Sequence, residues 1–354
     1  MLVVLIVLMG GLSLLSERFL THTNLLNVTR QVTINATLAA GMTLVILSGG
    51  IDLSVGAVLA LAGAIGAGAM AAGWGWAGGL ASALAVGLAF GAANGVFVAY
   101  ARLPPFIVTL ASMALARGLT LVYTGGRPIA VRDAAFTWFG HGYLAGIPVP
   151  VVIMAALYVL GHLMLTRLKI GRLVYAVGGN ETACRMAGIR VERVKVAVYA
   201  ASGFTSGLAA VVLTARLVSA QPTAGLGYEL DAIAAVILGG TSLAGGRGGI
   251  GGTVVGAFII GILGNGLNLL NVSPFYQDVA KGLVILLAVL LDRVLHAAPL
   301  AAPASRVPRA TPIPGPAQVQ AQTQAQVQAP AQGQVDRWPG APGEPREERT
   351  AAGE

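Results

Sequence analysis

TRLKIGRLVYAVGGNETACRMAGIRVERVK, residues Thr166 to Lys195, is a hydrophilic island in an otherwise apolar chain. It holds seven of the 22 lysines and arginines: Arg167, Lys169, Arg172, Arg185, Arg190, Arg193 and Lys195. A loop that basic between hydrophobic spans stays on the cytoplasmic side of a membrane. The island also carries the signals of a short helix. Asn180 can accept from the free N–H groups of a first turn, Glu181 suits the positive end of the dipole, and Gly188 can take the left-handed position after the last turn. A capped helix there is a docking element; a solvated connector obeying the same charge rule competes with that reading.

Composition sets the class. Of 354 residues, 56% are hydrophobic and 10% charged, with a mean hydropathy of +0.78; soluble domains carry roughly 25% charged residues. The chain reads as an all-α, polytopic membrane protein. The 49 glycines would weaken soluble helices but let membrane helices approach closely. Gly87, Gly91 and Gly95, and again Gly252 and Gly256, stand at the four-residue spacing of such an interface. The net charge of +8 does not imply nucleic acid, because the cations gather at span ends, where orientation and anionic lipid account for them. Cys184 is the only cysteine, and the four histidines show no metal-ligand spacing.

Apolar stretches run near 1–15, 31–48, 51–73, 77–101, 104–124, 147–166, 196–215, 231–246, 250–271 and 275–295, about ten spans. Met1–Leu15 barely reaches across roughly 30 Å of hydrocarbon at about 1.5 Å per residue; it reads as a first span with a clipped start. With both termini cytoplasmic, the island, Arg102, Arg247 and Arg293 fall inside, while 17–30, 126–146 and 217–230 fall outside with few cations. Residues 1–297 thus form the transmembrane domain, with the cytoplasmic loop at 167–195. From Ala298 to Glu354 the chain turns to Pro, Ala and Gln and is expected to be disordered. Two internal echoes, Val45–Gly50 with Val236–Gly240, and Asn94-Gly95 before Pro105-Phe106 with Asn265-Gly266 before Pro274-Phe275, obey no single symmetry and read as chance.

Three segments interrupt the apolar pattern. In SGGIDLSVG, Gly49 and Gly50 permit a break and Ser54 can cap the helix that follows. Asp52 is either a carboxylate at membrane depth on a solute path or a solvated group in a cytoplasmic turn. In the second, Pro104-Pro105 starts a helix that contains Arg117, for which Asp52, Glu229 and Asp231 are the available partners. Arg127 stands in a Gly-Gly turn at its outer end. In the third, Glu229 and Asp231 open a helix, where capping explains them. Asn35, Thr37, Asn94, Thr109, Asn265 and Asn268 suit helix–helix hydrogen bonds or a neutral polyhydroxylated solute. No Walker loop, HExxH or paired catalytic carboxylates occur, so the chain reads as a non-catalytic subunit that binds no cofactor or metal of its own.

GMTLVILSGGIDLSVGAVLAL, PPFIVTLASMALARGLTLVYTGGRPI, IGRLVYAVGGNETACRMAGI and QPTAGLGYELDAIAAVILGGTSLAGG together resemble the sugar permeases of bacterial ATP-binding-cassette importers, the ribose subgroup above all, over roughly residues 20 to 295. The resemblance implies a monosaccharide permease of the bacterial inner membrane working by alternating access. It implies ATPase partners that hold the ATP and Mg, an extracytoplasmic sugar-binding protein, and a second permease chain. By that resemblance Gly179, Asn180, Glu181, Ala183, Arg185 and Gly188 couple to the ATPase. Asp52, Ser54, Asn94, Arg117, Asn265 and Asn268 are candidates for the substrate pathway, and Arg127 and Glu229 for contact with the binding protein. An ion-coupled carrier, or a permease for another small solute, is the alternative.

Overall fold

Hydrocarbon offers the backbone no hydrogen-bond partner, so apolar runs satisfy their own polar groups by coiling into helices. The computed structural model describes residues 1–297 and is built almost wholly of helices. The tail expected to be disordered, 298–354, lies outside the described residues. In chain order the helices are α1 (Leu2–Leu15), α2 (His22–Leu47), α3 (Val55–Ala69), α4 (Gly75–Ala99), α5 (Pro105–Thr124), α6 (Ala134–His141), α7 (Val149–Arg167), α8 (Lys169–Gly179), α9 (Glu181–Met186), α10 (Val191–Leu217), α11 (Tyr228–Leu238), α12 (Ile250–Leu269) and α13 (Pro274–Ala297). Short strand pairs add a detail to the expected all-α chain. Here β1 (Ile129–Ala130) pairs antiparallel with β4 (Ser219–Ala220), and β2 (Tyr143–Leu144) with β3 (Ile147–Pro148).

Among the described residues, six stretches are long and apolar enough to cross a bilayer: 22–47, 55–99, 105–124, 149–167, 191–217 and 250–269. The chain is a multi-pass membrane protein. The stretch 55–99 is two helices joined by a π turn at Met70–Trp74. Gly73 and Gly75 adopt φ of 90° and 64°, and a Cβ on Gly66 would stand 2.9 Å from the Gly79 carbonyl, so α4 runs back along α3. One expected span is corrected. The run 231–246 stops being helical at Leu238, because Gly240, Gly245, Gly246 and Gly248 take positive φ and turn 239–249 into a loop. At 11 residues, α11 covers about half the hydrocarbon thickness.

The helices repeat one packing pattern. α4 lies along α3 and α10, and α3 also touches α10 and α5. Correspondingly, α12 lies along α11 and α2, and α11 also touches α2 and α13. One of the two sequence echoes fits this repeat, since Asn94-Gly95 and Asn265-Gly266 stand near the ends of α4 and α12, and the Pro-Phe pairs open α5 and α13. The other joins the end of α2 to the end of α11, which do not correspond.

Glycine makes the tightest contact. Gly87 and Gly91 of α4 face Gly203 and Gly207 of α10 so closely that a Cβ on Gly91 would collide with the Tyr199 carbonyl. Gly252 and Gly256 of α12 likewise face Gly239 and the Ala235 carbonyl of α11. Both spacings therefore serve helix packing. Polar glue adds to it: Tyr158 donates to the Ala36 carbonyl at 2.9 Å, and Thr43 and Thr253 share a 2.8 Å hydrogen bond.

The connecting segments sort into two groups. Leu47–Gly49, Gly178 and Gly245–Gly248 touch one another. Separately, β1 meets β4, the Val131 amide donates to the Val218 carbonyl, and Gly140 abuts Arg216. Replacing Gly91 or Gly203 with Val should lower the melting temperature of the purified protein by several degrees, the effect of overpacking worth about 1–3 kcal/mol. Gly118→Val, at a site with nothing near a Cβ, should leave it within about a degree. A fluorescence melt in detergent checks both.

Candidate functional site

The basic island folds as two helices set end to end. α8 buries Gly171, Val174 and Val177 against the body, and α9 follows after a single residue. Asn180 is that residue, and its side chain accepts from the Ala183 amide at 2.9 Å, as its position predicted. Gly188 adopts φ of 75°, and the Ile189 amide closes the turn on the Cys184 carbonyl at 3.0 Å. Glu181 accepts from Arg185 at 2.8 Å and from Lys195 at 2.6 Å, and Arg185 also reaches Glu192. Burial raises the Glu181 carboxyl's affinity for a proton, but the bonds from Lys195 and Arg185 outweigh that and hold its pKa below the ordinary value. Cys184 points inward, while Thr182, Ala183, Met186 and Ala187 face out, Met186 at 79% exposure. The result is a small, cross-braced helix whose exposed surface is mostly apolar.

Just before this helix, three backbone segments meet with no room for side chains. A Cβ on Gly178 would collide with the Leu47 carbonyl, and the Gly246 amide donates to that same carbonyl at 2.9 Å. A Cβ on Gly245 would stand 3.0 Å from Gly49, which itself sits at φ of 82°. The end of α8 thus bears directly on the end of α2 and on the 239–249 loop.

Beyond Gly49 the chain is non-helical until α3, and Asp52 is 1% exposed there. The solvated-turn reading is therefore overturned. The carboxylate accepts from the Ser54 amide at 3.0 Å, the Ser54 hydroxyl at 2.6 Å and the Ser202 hydroxyl at 2.8 Å. Asn94 donates to Ser54 at 3.0 Å and extends the network to α4. Ser54 stands at the cap position just before α3, but its hydroxyl serves Asp52 and makes no capping bond. Among the described residues no cation lies within ion-pair distance of Asp52, so hydroxyl and amide donors alone hold it.

The other predicted residues stand apart. Among the described residues no carboxylate lies within ion-pair distance of Arg117. Its guanidinium donates instead to the carbonyls of Pro222 at 3.0 Å and Ala224 at 2.9 Å, in the segment that enters α11. Asn265 exchanges two hydrogen bonds with Asn24 at 3.0 and 3.1 Å, and Asn268 accepts from Gln277 at 2.8 Å. Arg127 is exposed in its turn, while Glu229 is half-buried beside Gly56. The structure brings Asp52, Ser54 and Asn94 together and leaves Arg117, Asn265 and Asn268 elsewhere. Sequence reasoning missed the partners of Asp231, which is 5% exposed: Lys281 of α13 at 3.2 Å and Asn35 of α2 at 3.2 Å. Lys281, the one lysine in the apolar run 275–295, was the available signal.

Residues 24–289 match the family described as branched-chain amino acid transport system / permease component. The ribose import permease protein RbsC of Escherichia coli (strain K12) is 52% identical over 295 residues, covering 82% of this chain and 92% of the relative. The protein of the same name from Bacillus subtilis (strain 168) is 52% identical over 297 residues, covering 82% and 90%. The D-allose transport system permease protein AlsC of Escherichia coli (strain K12) is 41% identical over 295 residues, covering 83% and 90%. No solved structure matches the chain. With three quarters of its length matched, the chain belongs to the branched-chain amino acid transport system / permease component family.

Proposed function

We propose that this chain is the membrane-spanning subunit of an ATP-binding-cassette importer of the bacterial inner membrane, and that its cargo is a monosaccharide, ribose or a similar pentose. The observation that carries the reading is the 52% identity to ribose import permeases across nine tenths of their length, against 41% for a D-allose permease. The chain supplies the path and the lever, and catalyses nothing itself. Separate ATPase subunits bind and hydrolyse ATP with Mg. An extracytoplasmic binding protein delivers the sugar near Arg127 and Glu229, and a second permease chain, in a lipid bilayer, completes the path.

Ten crossings, made by α1–α5, α7, α10, α12, α13 and by α11 together with the 239–249 loop, put both ends of the described chain in the cytoplasm. The two groups of connecting segments support this: every loop contact described above joins segments that such a topology puts on the same side. In this arrangement α9 is the element that docks on the ATPase, through Gly179, Asn180, Glu181, Ala183, Arg185 and Gly188. Its displacement passes through Gly178 to the end of α2 and to the 239–249 loop. Asp52, Ser54 and Asn94 then hold the inner end of the path. Arg117, Asn265 and Asn268 act at its outer side.

Proteoliposomes containing the permease, ATPase subunits and binding protein should take up ribose only with ATP inside the ATPase compartment. Uptake that follows an ion gradient without ATP would identify a secondary carrier instead. Gly188→Val, which forces a β-branched residue to positive φ, and Cys184→Pro, which removes a helical N–H, should each cut uptake at least about tenfold while the chain still reaches the membrane. A depressed carboxyl stabilises α9 above the ordinary glutamate pKa of 4.5, and that gain is lost as pH falls through the lowered value. Amide exchange at 181–187 should therefore be slower than in Glu181→Gln at neutral pH, and the two should converge in acid.

A further inference from the structure

Among the described residues two carboxylates are buried, and the packing repeat treats them alike. Asp52 precedes α3 and is held by Ser202 of α10; Asp231 opens α11 and is held by Asn35 of α2. The difference between them is chemical. The Asp52 network is closed, with three donors on the carboxylate and no cation. Asp231 instead meets the ammonium of Lys281, whose side chain keeps 29% of its exposure, and Asn35 leaves its buried amide oxygen without a partner. A buried acceptor left unpaired is costly, and natural structures seldom leave one without use. Gln277, one turn before Lys281 on α13, continues the polar face toward Asn268.

We propose that Asp231, Lys281 and Asn35 form a station for the hydroxyl groups of a neutral polyol on its way through the membrane. The proposal rests on the sugar-permease reading above. The chemistry is matched group by group. A carboxylate accepts from hydroxyl hydrogens, an ammonium donates to hydroxyl oxygens, and the free Asn35 oxygen accepts one more O–H. Lys281 offsets the charge of Asp231, and the nearby carboxylate of Asp278 leaves the station net negative, so it admits an uncharged solute and repels an anion. Its place near the start of α11 and α13 puts it in the outer half of the bilayer in the ten-span topology, so it acts on the solute soon after delivery.

A purely structural ion pair and a solute station make opposite predictions when the pair is replaced by apolar residues. Exchanging a buried pair for hydrophobic groups of similar size is neutral or stabilising for a fold. The test is ribose uptake at saturating ribose-loaded binding protein, in the reconstituted full complex. Asp231→Leu with Lys281→Met should assemble with the ATPase yet transport ribose at least about tenfold more slowly, the loss expected for hydrogen bonds to charged groups. Asn35→Leu, which leaves the ion pair in place, should slow uptake about threefold or more and decides the matter if the double variant fails to assemble. Uptake at the wild-type rate in either assembled variant overturns the station. If the unaltered complex takes up no ribose while assembled and hydrolysing ATP, the sugar reading itself fails, and the station fails with it.

Discussion

The absence of any hydrogen-bond partner in hydrocarbon governs this structure. It forces the chain into helices, and with the hydrophobic effect nearly silent between them, it leaves close packing and polar side-chain contacts to hold the helices together. Glycine is the means of that packing. α4 and α10 touch through Gly87, Gly91, Gly203 and Gly207, and α11 and α12 through Gly239, Gly252 and Gly256. The same logic explains the junction of Leu47, Gly178 and Gly246, where three segments share one carbonyl's neighbourhood.

Polar groups inside the bundle are then the exceptions to be accounted for. Asp52 is tolerated because three donors surround it, and Arg117 because two carbonyls do. Asn24 and Asn265 satisfy each other, as paired amides can. Among the described residues Arg30 leaves its Nε unpaired, and where Asp231, Lys281 and Asn35 meet the accounting leaves both a partly exposed cation and an idle acceptor.

Much of this was readable from the residues. The island's helix, its Asn180 cap and its Gly188 stop depend on neighbours in sequence, and all three are present. Apolar length located the six stretches able to cross a bilayer among the described residues; at 231–246, glycines in LGGTSLAGG end a helix that hydropathy alone runs through. Side-chain partners were harder. Arg117 calls for a carboxylate and Asp231 for a capping role, but a carbonyl on a turn 105 residues away serves Arg117 and Lys281 pairs with Asp231, and nothing local announces either partner. Asp52 and Ser202 lie 150 residues apart, and only the packing of α10 beside the break joins them. The packing repeat, too, is faint in sequence, since helices fix the spacing of contacts and leave the identity of apolar residues free.

The pairing of β1 with β4 has a mechanical meaning. Together with the grip of Arg117 on Pro222 and Ala224, it ties the far end of α5 to the segment between α10 and α11 at several points along the chain. Helices α5, α10 and α11 are thereby stapled at one rim, so none of the three can part from the others at that end without breaking the strand pairing or the Arg117 contacts.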